Sequence, residues 1–396
     1  MTATTADVEY DPYDPGISAD PFPVFRRLRD DAPLYYNERL DFFALSRFDD
    51  VERAFVDRQT FINARGDVLE AIQGNTPVPP GFFIFEDPPL HTVHRGVLSR
   101  SFTPKRMSAL EPEIRRFCAE ALDPLVGGDR IDFVRDLGAR IPMRVICNLL
   151  GIPEADQETV RDRADEHVRT EPGKPRDYAV QTVTGEEFAE YIDWRVDHPS
   201  DDMMTELINA EFEDVDGTVR SLTREEILVY TNLLATAGNE TTNRLIGWMG
   251  KVLSDHPDQR RMLLDDPALA ANAVEETLRY EPTGVHIARY VARDVELYDR
   301  VVPAGSAMLL LAGAANRDER HYPDAERFDV SRRDRQFTFG YGAHFCLGAA
   351  LARLEGRIAL QEVLKRFPDW EVDLDEAKFA ATSTVRGWEA LPARLG

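Results

Sequence analysis

The chain has 396 residues, 71 acidic against 47 basic side chains, a formal net charge of −24 and 3 cysteines. That charge disfavours nonspecific attraction to phosphate backbones or anionic lipid, so a nucleic-acid partner is not expected, and an odd cysteine count without a CxxC pair argues against a disulfide framework or a zinc site. No window holds the roughly 18 apolar residues of a spanning helix, and MTATTADVEYDPYDPG lacks the basic and apolar regions of a secretory leader, so a soluble, cytoplasmic protein without a membrane anchor is expected.

In chain order, Pro21 to Asp31 reads as a short amphipathic helix, and LYYNERLDFFALS (Leu34 to Ser46) as two strands joined around Asn37 to Leu40. Phe61 to Pro89 carries glycines, prolines and the cluster GFFIFEDPP without a helical period, which predicts a long loop with exposed aromatics. From His91 to about Ala210 the pattern is mainly helical, and Cys118 and Cys147 fall inside helices as small buried hydrophobes. Thr223 with Glu226 is a capping box that opens a helix running to about Ser254. After LDDP comes a helix over Ala268 to Tyr280, and Val285 to Leu311 alternates as strand. No linker or repeat interrupts the chain. One domain over 1–396 is expected, mainly α with a smaller β-rich part at roughly 34–61 and 283–311, an α+β class.

Three stretches carry chemistry. In TNLLATAGNETTNRL, Gly238 costs about 1 kcal/mol relative to alanine in mid-helix; Leu234, Ala237, Gly238, Thr241 and Leu245 share one face, thinned for a flat ligand or for a close helix crossing. In HTVHR, His91 and Arg95 share a face, and no acidic residue stands between Pro88 and Leu110, where Arg95, Arg100, Lys105 and Arg106 lie: a local reversal of sign. In FTFGYGAHFCLGAALARLEGRIAL, Gly340, Gly342 and Gly348 surround Cys346 where a helix starts. The helix dipole and free N–H groups favour a thiolate there. A metal ligand, a nucleophile served by His344 and a buried structural cysteine all remain open. Glu276 and Arg279 at i, i+3 are ordinarily a surface ion pair contributing a few tenths of a kcal/mol.

Taken together, Phe339, Gly342, Cys346 and Gly348 reproduce the F-x-x-G-x-x-x-C-x-G signature of the cytochrome P450 superfamily, Glu276 and Arg279 match its E-x-x-R pair, and AGNETT matches its (A/G)-G-x-(D/E)-T segment. The chain resembles the soluble bacterial branch over nearly its whole length. The resemblance implies the P450 fold, with haem b between the long central helix and the helix that follows Cys346. It implies Cys346 as the iron ligand with Phe339 shielding the sulfur. His91, Arg95, Arg289 and His344 would pair with the haem propionates. Ala237 and Gly238 would leave room for O2, and Glu240 with Thr241 would form the acid–alcohol pair that delivers protons. Glu276, Arg279 and Arg327 would form a buried structural network. Phe82, Phe83, Leu233, Thr236, Val285 and Ile287 would line a mainly apolar substrate pocket, with Glu154 to Val168 and Tyr178 to His198 as its lid. The expected activity is monooxygenation of an apolar small molecule (lipid, steroid, terpene or other secondary metabolite). Electrons would come from a separate ferredoxin and ferredoxin reductase, docked on Arg100, Lys105, Arg106, Arg332, Arg333 and Arg335. A peroxide-driven haem enzyme and a haem-binding sensor are the alternatives; the intact Glu240 and Thr241 argue against both.

Overall fold

The computed structural model describes residues 8–75, 77, 79–168, 170–175 and 184–396, so the lid segment expected from Tyr178 lies partly outside the described residues. Strands β1 (Leu34–Asn37) and β2 (Phe42–Leu45) form the expected hairpin, its turn closed by Asp41 at φ 48°. With β3 (Phe61–Ile62), β4 (Ile287–Val291) and β5 (Ala307–Leu310) they make one sheet in the order β1-β2-β5-β4-β3, in which only β5 and β2 run parallel. Every residue of β5 is buried because both faces of the sheet are covered. Phe48, Val51 and Phe55, on a helix at Phe48–Val56 inside the region expected to be β-rich, cover one face. Phe25 and Leu28, on the amphipathic helix Phe22–Asp31, cover the other.

The stretch from Phe61 to Pro89 is not an open loop. It holds a helix at Leu69–Gly74 and a 3-10 turn at Phe83–Phe85, too short to show a sequence period. Its aromatics Phe82, Phe83 and Phe85 are buried in the main core, not exposed, because their rings carry a large apolar area whose removal from water is favourable. That core is helical. The central helix, Arg224–Asp255, spans 32 residues and opens on the predicted capping box. Around it pack Glu111–Leu122 and Ile141–Leu150, which bury Cys118 and Cys147, with Ala270–Tyr280 and Ala349–Arg366. A second sheet of Trp370–Val372, Pro392–Leu395 and Arg130–Asp132 falls outside the predicted β ranges. Its short strands pair across more than half the chain, so no local period announces them. Among the described residues no helix is long and apolar enough to cross a membrane.

Candidate active site

The cysteine loop takes its shape from two left-handed glycines, Gly340 at φ 68° and Gly342 at φ 77°. At Gly342 a Cβ would also lie 3.0 Å from the Phe55 carbonyl oxygen, so this position demands glycine twice over. The turn lets the Cys346 N–H donate to the Phe339 carbonyl at 2.8 Å and places Cys346 just before the helix Ala349–Arg366. Burial pushes the thiol pKa up, while the N–H groups of Gly348 and Ala349 and the cations Arg95 and Arg353 pull it down. The Cys346 side chain is accessible rather than packed into the core like Cys118 and Cys147. The Arg353 guanidinium lies 4.5 Å over the Phe339 ring.

Four basic side chains from distant segments converge beside this loop. Arg95 donates to the Phe345 carbonyl. The His91 ring, 2% exposed, lies 4.0 Å from that of His344. Arg289 on β4 is 3% exposed, donates to the Ala288 carbonyl and forms no ion pair among the described residues. Burial, then the charge of Arg95, pushes the His91 pKa down to about 4. His344 is lowered too, by burial and then by His91, Arg289 and Arg95, so the other three all stand near it. Burial also takes Arg289 down to about 10 against the pull of Asp67 and Asp87, and raises Asp67 to about 6. The Nε2 atoms of His91 and His344 are buried without a partner among the described residues. Buried polar groups left in this state call for a ligand that supplies acceptors. A flat group with two carboxylates and a metal for the thiolate, such as haem, fits this set.

The central helix is buried along most of its length, but Ala237 and Thr241 at its middle are exposed, so the helix borders an opening there. The Thr241 hydroxyl donates to the Ala237 carbonyl at 2.9 Å. Gly238 faces the helix Ile141–Leu150, but a Cβ there would lie at an ordinary contact distance of 3.7 Å from Ile146, so no close helix crossing demands glycine at this position. Glu240 is tied by an ion pair to Arg244, which also donates to the Trp388 carbonyl. The pair lies on the wall of a cavity of about 290 Å³ lined also by Arg161, Asp162 and Glu389. No hydrogen bond joins Glu240 to Thr241 among the described residues. Arg244 was one helical turn away in the sequence and could have been found by that spacing.

Phe82, Phe83 and Leu233 are buried near the central helix, and the Phe83 ring stands 6.2 Å from His91 and 6.4 Å from Tyr230. Thr236 donates to the Asn232 side chain at 3.3 Å. Val285 packs against Gly313 on the sheet side, and Ile287 lies within 3.9 Å of where a Gly340 Cβ would be. Another cavity, of about 590 Å³, is lined by residues such as Phe117, Arg140 and Arg161 and touches none of the Cys346 cluster; the chemistry belongs with the cysteine loop rather than with the roomier hollow.

Two expectations about arginines need correction. Glu276 and Arg279 are buried as predicted, but Arg327 offers them only its carbonyl, at 2.9 Å from Arg279, while its side chain turns outward to Asp329. Arg332, 3.4 Å from Glu276, takes the place of the third member, because the chain reverses after Phe328 and brings residue 332 inward. The basic patch is thereby reduced. Arg95 and Arg332 are half-buried, Arg106 is paired with Glu206 and Arg335 with Glu52, leaving Arg100, Lys105 and Arg333 as exposed cations without an ion pair among the described residues.

A family model for cytochrome P450 matches residues 264–381, which include Glu276, Arg279 and the whole cysteine loop. Cytochrome P450 130 of Mycobacterium tuberculosis is 37% identical over 391 residues, 95% of each chain. Vitamin D(3) 25-hydroxylase of Pseudonocardia autotrophica is 34% identical over 99% of this chain and 98% of its own. The structure of cytochrome P450 CYP109Q5 from Chondromyces apiculatus, 31% identical, aligns with a TM-score of 0.85 over 98% of both chains. With its glycine-shaped cysteine loop, its unpartnered histidines and relatives of this length and likeness, the chain belongs to the cytochrome P450 family and is a P450 monooxygenase.

Proposed function

We propose that Cys346 ligates the iron of haem b and that the protein inserts one atom of O2 into an apolar small molecule: a lipid, steroid, terpene or similar secondary metabolite. The observation that carries this reading is an accessible thiol, ringed by backbone N–H groups, beside two buried histidine nitrogens that lack partners. When bound, the haem supplies a redox-active iron whose thiolate ligand favours O–O cleavage.

The chain's own residues do the rest. Arg95, Arg289, His91 and His344 hold the two carboxylates, and Phe339 with Arg353 covers the sulfur. Ala237 keeps the helix surface low where O2 must fit. The Thr241 hydroxyl, now donating to the Ala237 carbonyl, can turn to pass a proton onward. Glu240 collects protons by way of the polar-lined cavity on its flank once it leaves Arg244. Phe82, Phe83 and Leu233 exclude water and present an apolar wall, as small-molecule sites usually do. A relative named as a vitamin D(3) hydroxylase supports a substrate of this apolar class. Electrons arrive from a ferredoxin and its reductase, with Arg100, Lys105 and Arg333 as the cations free to attract an acidic partner.

The test is spectroscopic. The reduced, carbon monoxide-bound protein is expected to show the red-shifted Soret band of a thiolate-ligated haem, and Cys346→Ser to lose it. A wild-type protein without that band, or a serine variant that keeps it, refutes the assignment.

A further inference from the structure

Behind the pocket loop, residues 79–87, lies a buried polar knot that the chemistry above does not use. His94, on the helix Leu90–Ser99, is 2% exposed. Its Nδ1 sits 2.9 and 2.8 Å from the two carboxylate oxygens of Glu86, the residue that ends the 3-10 turn Phe83–Phe85. Its Nε2 is buried without a hydrogen bond among the described residues, 3.8 Å from a carboxylate oxygen of Glu226. Glu226 belongs to the first turn of the central helix, where it accepts from the Thr223 N–H at 2.8 Å and from Arg220 at 2.7 and 2.8 Å. The His94 ring meets Tyr230 and Phe212 edge-on, each at 6.3 Å. The Tyr230 hydroxyl is likewise buried without a partner among the described residues. Gly81 presses on the same knot: at φ 88°, its Cβ would lie 3.3 Å from the Glu226 Cγ and 3.4 Å from the Tyr230 ring.

A buried carboxylate holds its position only while a donor satisfies it. For Glu86, that donor among the described residues is His94. Phe83 stands only three residues before Glu86, so whatever fixes Glu86 fixes the aromatic wall of the pocket. The central helix, the loop and the helix Leu90–Ser99 thus meet at one imidazole. We infer that His94 is a positioning residue for the monooxygenase: by holding Glu86 against the first turns of the central helix it seats Phe82 and Phe83, and so decides which bulky molecules the pocket admits. The inference rests on the proposed function for where the pocket lies, not for the knot itself.

Two iron-binding probes of different bulk test it, imidazole and 4-phenylimidazole, titrated by the Soret shift. Imidazole reports the haem site; the phenyl group adds contact with the pocket wall. In His94→Phe the affinity for 4-phenylimidazole should change about tenfold, the scale of a lost charge-assisted hydrogen bond, with imidazole held within about twofold. His94→Gln, which returns a donor to Glu86, should recover most of that change. Should the phenylalanine variant fail to fold, Glu86→Ala should reproduce the altered ratio and Glu86→Gln, which keeps a hydrogen bond to the imidazole, should not. An unchanged ratio in both His94→Phe and Glu86→Ala, or in whichever of them folds, overturns the inference. Hydrogen exchange of the apoprotein separates the two readings: loss of protection confined to the peptide over residues 79–87 in His94→Phe supports the knot even if no thiolate-ligated haem forms, and unchanged protection there refutes it.

Discussion

Two carboxylate–arginine pairs on helices differ in almost nothing that the sequence displays. Glu276 and Arg279 stand at i, i+3, Glu240 and Arg244 at i, i+4, and all four side chains are under 10% exposed. Their surroundings separate them. Arg279 has both faces of its guanidinium fork engaged: Glu276 takes two of its N–H groups, and the carbonyls of Asn316, Ala325 and Arg327 take others. Glu276 also accepts from the Asp329 N–H at 2.9 Å. Arg244 instead has an Nε without a partner among the described residues, and its pair stands on the wall of a cavity of about 290 Å³. One pair is a finished joint; the other is left able to move. A buried ion pair is costly to desolvate and is retained where its remaining hydrogen bonds are complete or where its opening is useful.

Breaking the finished joint should have the largest effect. Arg279→Ala strands three carbonyls in the core and leaves the Glu276 carboxylate only the Asp329 N–H and Arg332; removing one partner of a buried pair typically costs about 3–5 kcal/mol. Arg279→Lys should recover little of it, since a single ammonium cannot reproduce the planar fork. Urea unfolding of the purified variants measures this; a midpoint near that of the wild type would show that the joint is not what holds Ala270–Tyr280 to the segment 316–332. Arg244→Gln should cost less, about 1–2 kcal/mol, because water in the adjoining cavity can solvate the freed Glu240. A loss equal to that of Arg279→Ala in the same experiment would mean that the cavity is dry and that the two pairs are equivalent after all.

The sequence displayed the first joint only in part. Helical spacing alone reads Glu276 and Arg279 as a surface ion pair, and only the match to the E-x-x-R pair marked them as buried; Gly340 and Gly342 were legible because φ values of 68° and 77° restrict residue choice locally. Arg332 was missed in favour of Arg327 because which of two arginines turns inward depends on the reversal after Phe328, a tertiary fact. The basic patch shrank for the same reason: Glu206 and Glu52, which pair with Arg106 and Arg335, lie about 100 and 280 residues away in the chain. The buried aromatics at 82–85 looked like a loop because the surface that covers them is the central helix, again far along the sequence. Local geometry could be read from residues; partnership across the fold could not.

A third carboxylate completes the contrast and carries the smallest effect at mildly acidic pH. Glu355, on the helix after Cys346, is 2% exposed, forms no ion pair among the described residues, and leaves Oε2 without a hydrogen-bond partner. With no cation to offset it, burial raises its pKa from 4.5 to about 8. Between those two values the folded chain keeps a proton that the unfolded chain has released, so stability from this residue falls as pH rises through that window. The slope is at most about 1.4 kcal/mol per pH unit. Glu355→Gln imitates the protonated acid and cannot ionise. At pH 5 the variant should therefore be nearly as stable as the wild type, and it should pull ahead steadily toward pH 8. Urea midpoints at pH 5, 6, 7 and 8 decide the matter: two curves that stay parallel would mean that Glu355 is ionised in the core and paired with something, and the three-way distinction between a complete pair, an incomplete pair and no pair would lose its last member.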